Sequence, residues 1–140
     1  MKKIILTLMA VSFTFATANL VEEASKLDVK KVCDVKANGA KKVLDVAKKY
    51  NPEAIKLGIE FKRLGIRNKE YIKYTDKAIK LKKKETVIKY LDKKKKEKTK
   101  KFPTNYAAWR ACTFAVRALQ QKKEAEKTWR LAVPGDGYKY

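Results

Sequence analysis

The sequence predicts an all-α fold: a small bundle of four to five helices, one of them long and lysine-rich, held by one disulfide. Three observations predict it. Apolar residues recur at spacings of three and four along most of the chain, the period of one helix face. Only five glycines and three prolines occur in 140 residues, and they fall between the periodic stretches, where helices end. No stretch reads as the apolar–polar alternation of a half-buried strand, and no repeat of roughly 20 to 50 residues marks a solenoid.

The first eighteen residues, MKKIILTLMAVSFTFATA, read as a secretory signal and stand outside the fold. Lys2 and Lys3 give a basic start, and the apolar run from Ile4 to Phe15 is too short to span a bilayer. Ala16-Thr17-Ala18 is the small-x-small pattern that signal peptidase cuts. No cysteine sits at the cut, and no later apolar run spans a membrane. The expected organisation is a signal over 1–18, one helical domain over 19–133 and a short tail over 134–140. The expected location is periplasmic or secreted.

Each helix is expected from its own signals. The first carries Leu20, Ala24 and Leu27, then Val29, Val32, Cys33 and Val35, and stops at Asn38-Gly39, both tolerant of a left-handed backbone. The second, Ala40 to Tyr50, lines up Val43, Leu44, Ala47 and Tyr50. Asn51-Pro52-Glu53 reads as the restart of a third, with Asn51 as N-cap and Pro52 in the first position, running to about Leu64 and ending at Gly65. Asn68 is the expected cap of a fourth, with Glu70 in its first turn, reaching about Lys100. FPT at 102–104 breaks it, and Thr104 or Asn105 opens a fifth whose buried stripe is Trp109, Cys112, Val116 and Leu119. Pro134-Gly135 ends that helix.

Cys33 and Cys112 are the two cysteines. In an oxidising compartment an even pair reads as a disulfide, here stapling the first helix to the last. The loop of about 80 residues it closes is worth about 4–5 kcal/mol in the chain-entropy account. A redox thiol or metal ligand is the alternative, but the chain has no CxxC and no histidine, and neither a metal nor a small-molecule cofactor is expected.

The net charge is +21, of which +19 lies beyond residue 18. Such a field concentrates anions, whether nucleic acid, lipopolysaccharide, anionic lipid or acidic protein. Lysines number 31 against five arginines, a bias that nucleotide composition alone can also produce. The excess is local: Lys77 to Lys101 holds thirteen lysines and three acids. On a helix, Glu85–Lys89, Asp92–Lys96 and Glu97–Lys101 are favourable pairs, while Lys80–Lys84, Lys89–Lys93 and Lys94–Lys98 repel. The candidate anion-binding set is Lys93, Lys94, Lys95, Lys96, Lys98, Lys100 and Lys101, with Arg63 and Arg67 at a turn. Tyr90, Phe102 and Tyr106 flank the run and could stack on bases or simply anchor helix ends. Lysine contacts grip phosphates without reading sequence. A solvated helix face is the competing reading of the same residues.

FKRLGIRNKEYIKY, 61–74, resembles a helix-hairpin-helix turn, in which backbone N–H groups meet a phosphate, but the second glycine is missing. Gly65 therefore reads as an ordinary helix C-cap. In the last helix Arg110, Phe114, Arg117 and Gln121 share a face, and with Trp129 they form a candidate protein-binding surface. Alternatively the arginine stems cover the margin of an apolar stripe.

Catalytic signatures are missing. Without histidine there is no Ser–His or Cys–His nucleophile and no HExxH site, and no Walker or GxGxxG loop occurs. A carboxylate pair such as Glu53 with Glu60 is the remaining route to an enzyme. The reading that the composition favours is an exported basic helical protein binding an anionic polymer or membrane surface. The alternative is a periplasmic adaptor, chaperone or inhibitor using the last helix and the GYKY tail.

Overall fold

Two helices carry the core. In the computed structural model, which describes residues 16–128 and side chains from Leu20, α4 (Ala40–Lys56) packs along α6 (Thr104–Thr128). From α4 come Val43, Leu44, Ala47, Tyr50 and Ala54, and they meet Ala108, Ala111, Cys112, Ala115 and Leu119 in one buried cluster. The alanines keep that side of α6 low, so the two helices approach closely. Cys33 and Cys112 are bonded, with α-carbons 5.6 Å apart, and both are fully buried.

Among the described residues before α4 the chain forms three helices, not one: α1 (Ala16–Ser25), α2 (Val29–Val32) and α3 (Val35–Asn38). The breaks fall at aspartates. Asp28 accepts a hydrogen bond from the Lys30 amide at 3.0 Å, and Asp34 accepts from the Lys36 and Ala37 amides at 2.8 and 3.2 Å. Each restarts a helix as its N-cap. Gln120 of α6 donates to the Ala24 and Leu27 carbonyls at 3.0 and 2.8 Å, satisfying the open end of α1.

The expected restart at Asn51 does not occur, because α4 runs straight through Pro52. Asn51 turns inward instead of capping: its amide donates to Glu60 at 3.1 Å and its oxygen accepts from Asn68 at 2.8 Å. Helix α4 stops at the first of two Leu-Gly-Ile triplets. Gly58, at φ +71, lets Ile59 donate to the Ala54 carbonyl at 2.9 Å and Gly58 to Ile55 at 3.0 Å, a Schellman closure.

The fold is mixed α/β, which corrects the all-α expectation. Two antiparallel two-stranded ladders are present among the described residues, β1 (Lys62–Arg63) with β2 (Ile66–Arg67), and β3 (Glu85–Leu91) with β4 (Glu97–Pro103). The second Leu-Gly-Ile triplet makes the first hairpin. Leu64 and Gly65 both have positive φ, +54 and +87, the two-residue turn whose twist suits paired strands. Gly65 is therefore a hairpin residue and not a helix cap.

The long lysine-rich helix is also replaced. Helix α5 covers only Asn68–Lys80, and its N-cap is Arg67. Asn68 is fully buried, donating to Asn51 and, at 2.9 Å, to the Ala111 carbonyl. The helix ends in another Schellman closure, Lys83 donating to Ala78 at 2.8 Å and Lys82 to Ile79 at 3.0 Å. Lys82 takes the left-handed position, φ +51, where glycine is usual. Beyond it Thr86, Ile88 and Tyr90 are buried in alternation with exposed Val87, Lys89 and Leu91, the period of a strand. Thr104 fastens the hairpin to α6, its amide donating to Lys84 and its hydroxyl to Lys83, both at 2.8 Å.

Among the described residues no helix is long and apolar enough to cross a membrane. Most of the predicted signal (residues 1–15), the continuation of the last helix past Thr128, Trp129 and the 134–140 tail lie outside the described residues.

Candidate anion-binding cleft

The hairpin divides the lysine run among three directions. In the register of β3 with β4, Ile88 pairs with Lys100 and Tyr90 with Lys98, so these two lysines share the face of the buried residues. Lys101 pairs with Val87 on the opposite face. Lys93, Lys94, Lys95 and Lys96 make the exposed connecting loop. The helical ion pairs give way to pairs across the hairpin, Lys89 to Glu97 at 3.5 Å and Lys98 to Asp92 at 3.1 Å.

Asp92 organises the loop. Its Oδ1 accepts from the Lys94 and Lys96 amides at 2.8 and 2.9 Å. The Lys95 amide donates to the Asp92 carbonyl at 3.0 Å, and the Asp92 amide to the Lys96 carbonyl at 2.9 Å. This is a three-residue hairpin loop with Lys95 at its left-handed position, φ +58. The Lys96 amide first, then the Lys98 ammonium, holds the Asp92 carboxyl below its ordinary value.

The two hairpins meet in a cleft of about 650 Å³. The first contributes Lys62, Leu64 and Gly65. The second contributes Tyr90, Leu91 and Asp92, with Lys93, Lys98 and Lys100. Lys100 Nζ stands 5.9 Å from the centroid of the Tyr90 ring. Four lysines thus line the cleft with one carboxylate, Asp92, which accepts from two amides and is paired with the Lys98 ammonium. A phosphate or sulfate entering there meets positive charge over a partly apolar floor.

Of the expected anion-binding residues, Lys93, Lys98 and Lys100 converge on this cleft, while Lys94, Lys95, Lys96 and Lys101 do not line it. Arg63 and Arg67 separate: Arg67 pairs with Lys62 and Arg63 with buried Ile66, which places them on opposite faces of the first hairpin. Arg67 borders a neighbouring hollow of about 330 Å³ with Glu60 and Lys62. Lys62, Leu64, Leu91 and Asp92 were not legible as site residues, because their convergence requires the hairpin register.

The expected partner surface on α6 has a different arrangement. The Arg110 guanidinium lies over three rings, 5.0 Å from the centroid of Tyr106, 5.1 Å from Phe114 and 5.4 Å from Trp109. Phe114 meets Phe61 edge-on at 5.3 Å and Tyr71 at 6.3 Å. Burial raises the Tyr71 phenol above its ordinary value, and the Arg110 charge opposes the rise. Arg117 is exposed, and Trp109, expected in the buried stripe, is 40% exposed. Comparison with family models, curated proteins and solved structures finds no match for the chain.

Proposed function

We propose that this chain is an exported basic protein that binds an anionic polymer or surface through non-specific lysine contacts in the cleft between its hairpins. The observation that carries the reading is the convergence of Lys62, Lys93, Lys98 and Lys100 around Tyr90, with Asp92 as the single, already occupied carboxylate. Lysine without arginine in the cleft fits attraction to phosphate or sulfate and not base reading. The buried Cys33–Cys112 bond and the signal-like first eighteen residues support export.

Retention on heparin and on duplex DNA as a function of salt tests this. About four contacts to DNA phosphates give a log–log salt slope of about −3.6, and Lys93→Gln, Lys98→Gln and Lys100→Gln together flatten it by about 2.7. Retention unchanged in that triple variant would refute the cleft as the binding site.

One observation favours a second reading, a protein partner on α6: Trp109 is exposed beside Tyr106 and Arg110, residue types that anchor interfaces. That reading expects a salt-tolerant complex sensitive to Trp109→Ala and indifferent to the lysine changes.

A further inference from the structure

We infer that the free edge of β3 docks an extended acidic peptide, which joins the hairpin as a third strand in the groove beside α5. This groove shares no lining residue with the lysine cleft and does not depend on the polyanion reading.

Hydrogen bonds at the two ends of the ladder fix which way the β3 backbone points. The Thr104 amide donates to the Lys84 carbonyl at 2.8 Å, and the Asp92 amide to the Lys96 carbonyl at 2.9 Å. Both pairs continue the β3–β4 register, so Lys84 and Asp92 face the partner strand. Antiparallel pairing alternates residue by residue. Thr86, Ile88 and Tyr90 therefore bond to β4, and Glu85, Val87 and Lys89 turn their N–H and C=O groups the other way. The sheet has two strands, and among the described residues no other backbone group bonds to this edge. A row of unpaired donors and acceptors is a template for another strand.

The groove alongside suits one kind of strand. It holds about 210 Å³. Tyr74, Ala78 and Leu81 line it from one stripe of α5, and Val87 lines it from β3. Leu81 and Val87 are 55% and 40% exposed. Lys77, Lys83 and Lys89 surround these apolar groups, with Glu85 as the one acid. An added strand turns alternate side chains to opposite faces. A segment alternating apolar and acidic residues thus sets the first against the α5 stripe and the second within reach of the lysines. This is strand addition, in which the main chain gives affinity and alternate side chains give selectivity. A sulfated polysaccharide or a nucleic acid answers the lysines but not the alternating row of N–H and C=O groups. A second copy of this chain brings the same excess of lysine to the edge and is repelled.

The test is fluorescence anisotropy with a labelled peptide of alternating glutamate and valine, beside a copy N-methylated along its backbone and a copy with lysine for glutamate. The first is expected to bind, and the other two about tenfold more weakly or less still. In hydrogen exchange on the free chain, the Val87 and Lys89 amides are expected to exchange faster than those of Ile88 and Tyr90, and to slow when the acidic peptide is added. Val87→Pro removes an outward N–H that the ladder does not use, at an edge position where proline is tolerated. It is expected to weaken the peptide about tenfold or more, with heparin retention unchanged. Lys77→Gln with Lys89→Gln is expected to weaken it about fivefold. Equal binding of the N-methylated peptide, or by Val87→Pro, overturns the proposal. So do Val87 and Lys89 amides already protected in the free chain, whether by a second copy or otherwise. A wild-type chain that is held by heparin but ignores the acidic peptide overturns it too, and leaves the polyanion reading standing. That reading fails separately, when neutralising the cleft lysines leaves heparin retention intact.

Discussion

A Cβ placed on Gly65 would stand 3.3 Å from both Cδ2 and Cε2 of Tyr90, so the first hairpin touches the second through a bare α-carbon. Gly65 also sits at φ +87. Gly65→Ala therefore meets backbone strain of about 1–2 kcal/mol and displaces the ring at the cleft floor. Chemical denaturation is expected to show a loss of that size, with weaker heparin retention as the two hairpins move apart.

Lys95 carries the opposite opportunity. It occupies the left-handed position of the Asp92–Lys96 loop, which glycine fills more readily. Relief of strain outweighs the extra freedom glycine gives the unfolded chain, so Lys95→Gly is expected to stabilise by about 0.5–1 kcal/mol. Because Lys95 does not line the cleft, heparin retention is expected to fall less than for Lys98→Gln. A lower melting temperature for Lys95→Gly would contradict the loop geometry.

The Asp92 carboxyl is held low by the Lys96 amide, the Lys98 ammonium and the Lys94 amide. A carboxyl whose folded-state value is depressed contributes stability above its unfolded value, about 3.9, and loses it as pH falls through the lower folded value. The Lys94 and Lys96 amides are expected to stay protected from hydrogen exchange above that unfolded value and to lose protection as pH falls through the lower folded one. In Asp92→Asn that acid transition is expected to vanish from the loop.

Asn68 joins α5 to α4 and α6 from a fully buried position. Asn68→Ala removes the donor to Asn51 Oδ1 and to the Ala111 carbonyl, leaving a buried acceptor unpaired. The expected cost is about 2–3 kcal/mol, read as a lower denaturant midpoint with an unchanged slope.

The Cys33–Cys112 bond spans 79 residues. Replacing both cysteines with alanine is expected to lower stability by about 2–5 kcal/mol, measured against the oxidised wild type. Equal melting temperatures would show that the α4–α6 packing suffices without the staple.

Helical period located α6 and the part of α4 up to Tyr50, because Val43, Leu44, Ala47 and Tyr50, and Cys112, Val116 and Leu119, repeat over several turns and are buried. The even cysteine count identified Cys33 and Cys112 as partners, and the two are bonded. The lysine cluster was legible as composition, and Lys93, Lys98 and Lys100 were named from it. The strand was signalled too: Thr86-Val87-Ile88 followed by Tyr90 is β-branched and aromatic. Val87, Ile88 and Leu91 also fit a helix, and a short apolar run does not distinguish the two periods. Tertiary structure decided where the chain turns. Leu64, Lys82 and Lys95 are the non-glycine residues with positive φ among those described, and they mark the first hairpin, the end of α5 and the second hairpin. None belongs to the residue types that announce a left-handed turn. Each is held there by what the flanking segments gain: Ile66 and Ile88 fully buried, Tyr90 nearly so, and the Schellman bonds closed. Local preference is worth about 1–2 kcal/mol per residue, less than burying several large apolar side chains at about 1.5–3 kcal/mol each, so at these three positions packing prevailed and the lysines came to face a cleft.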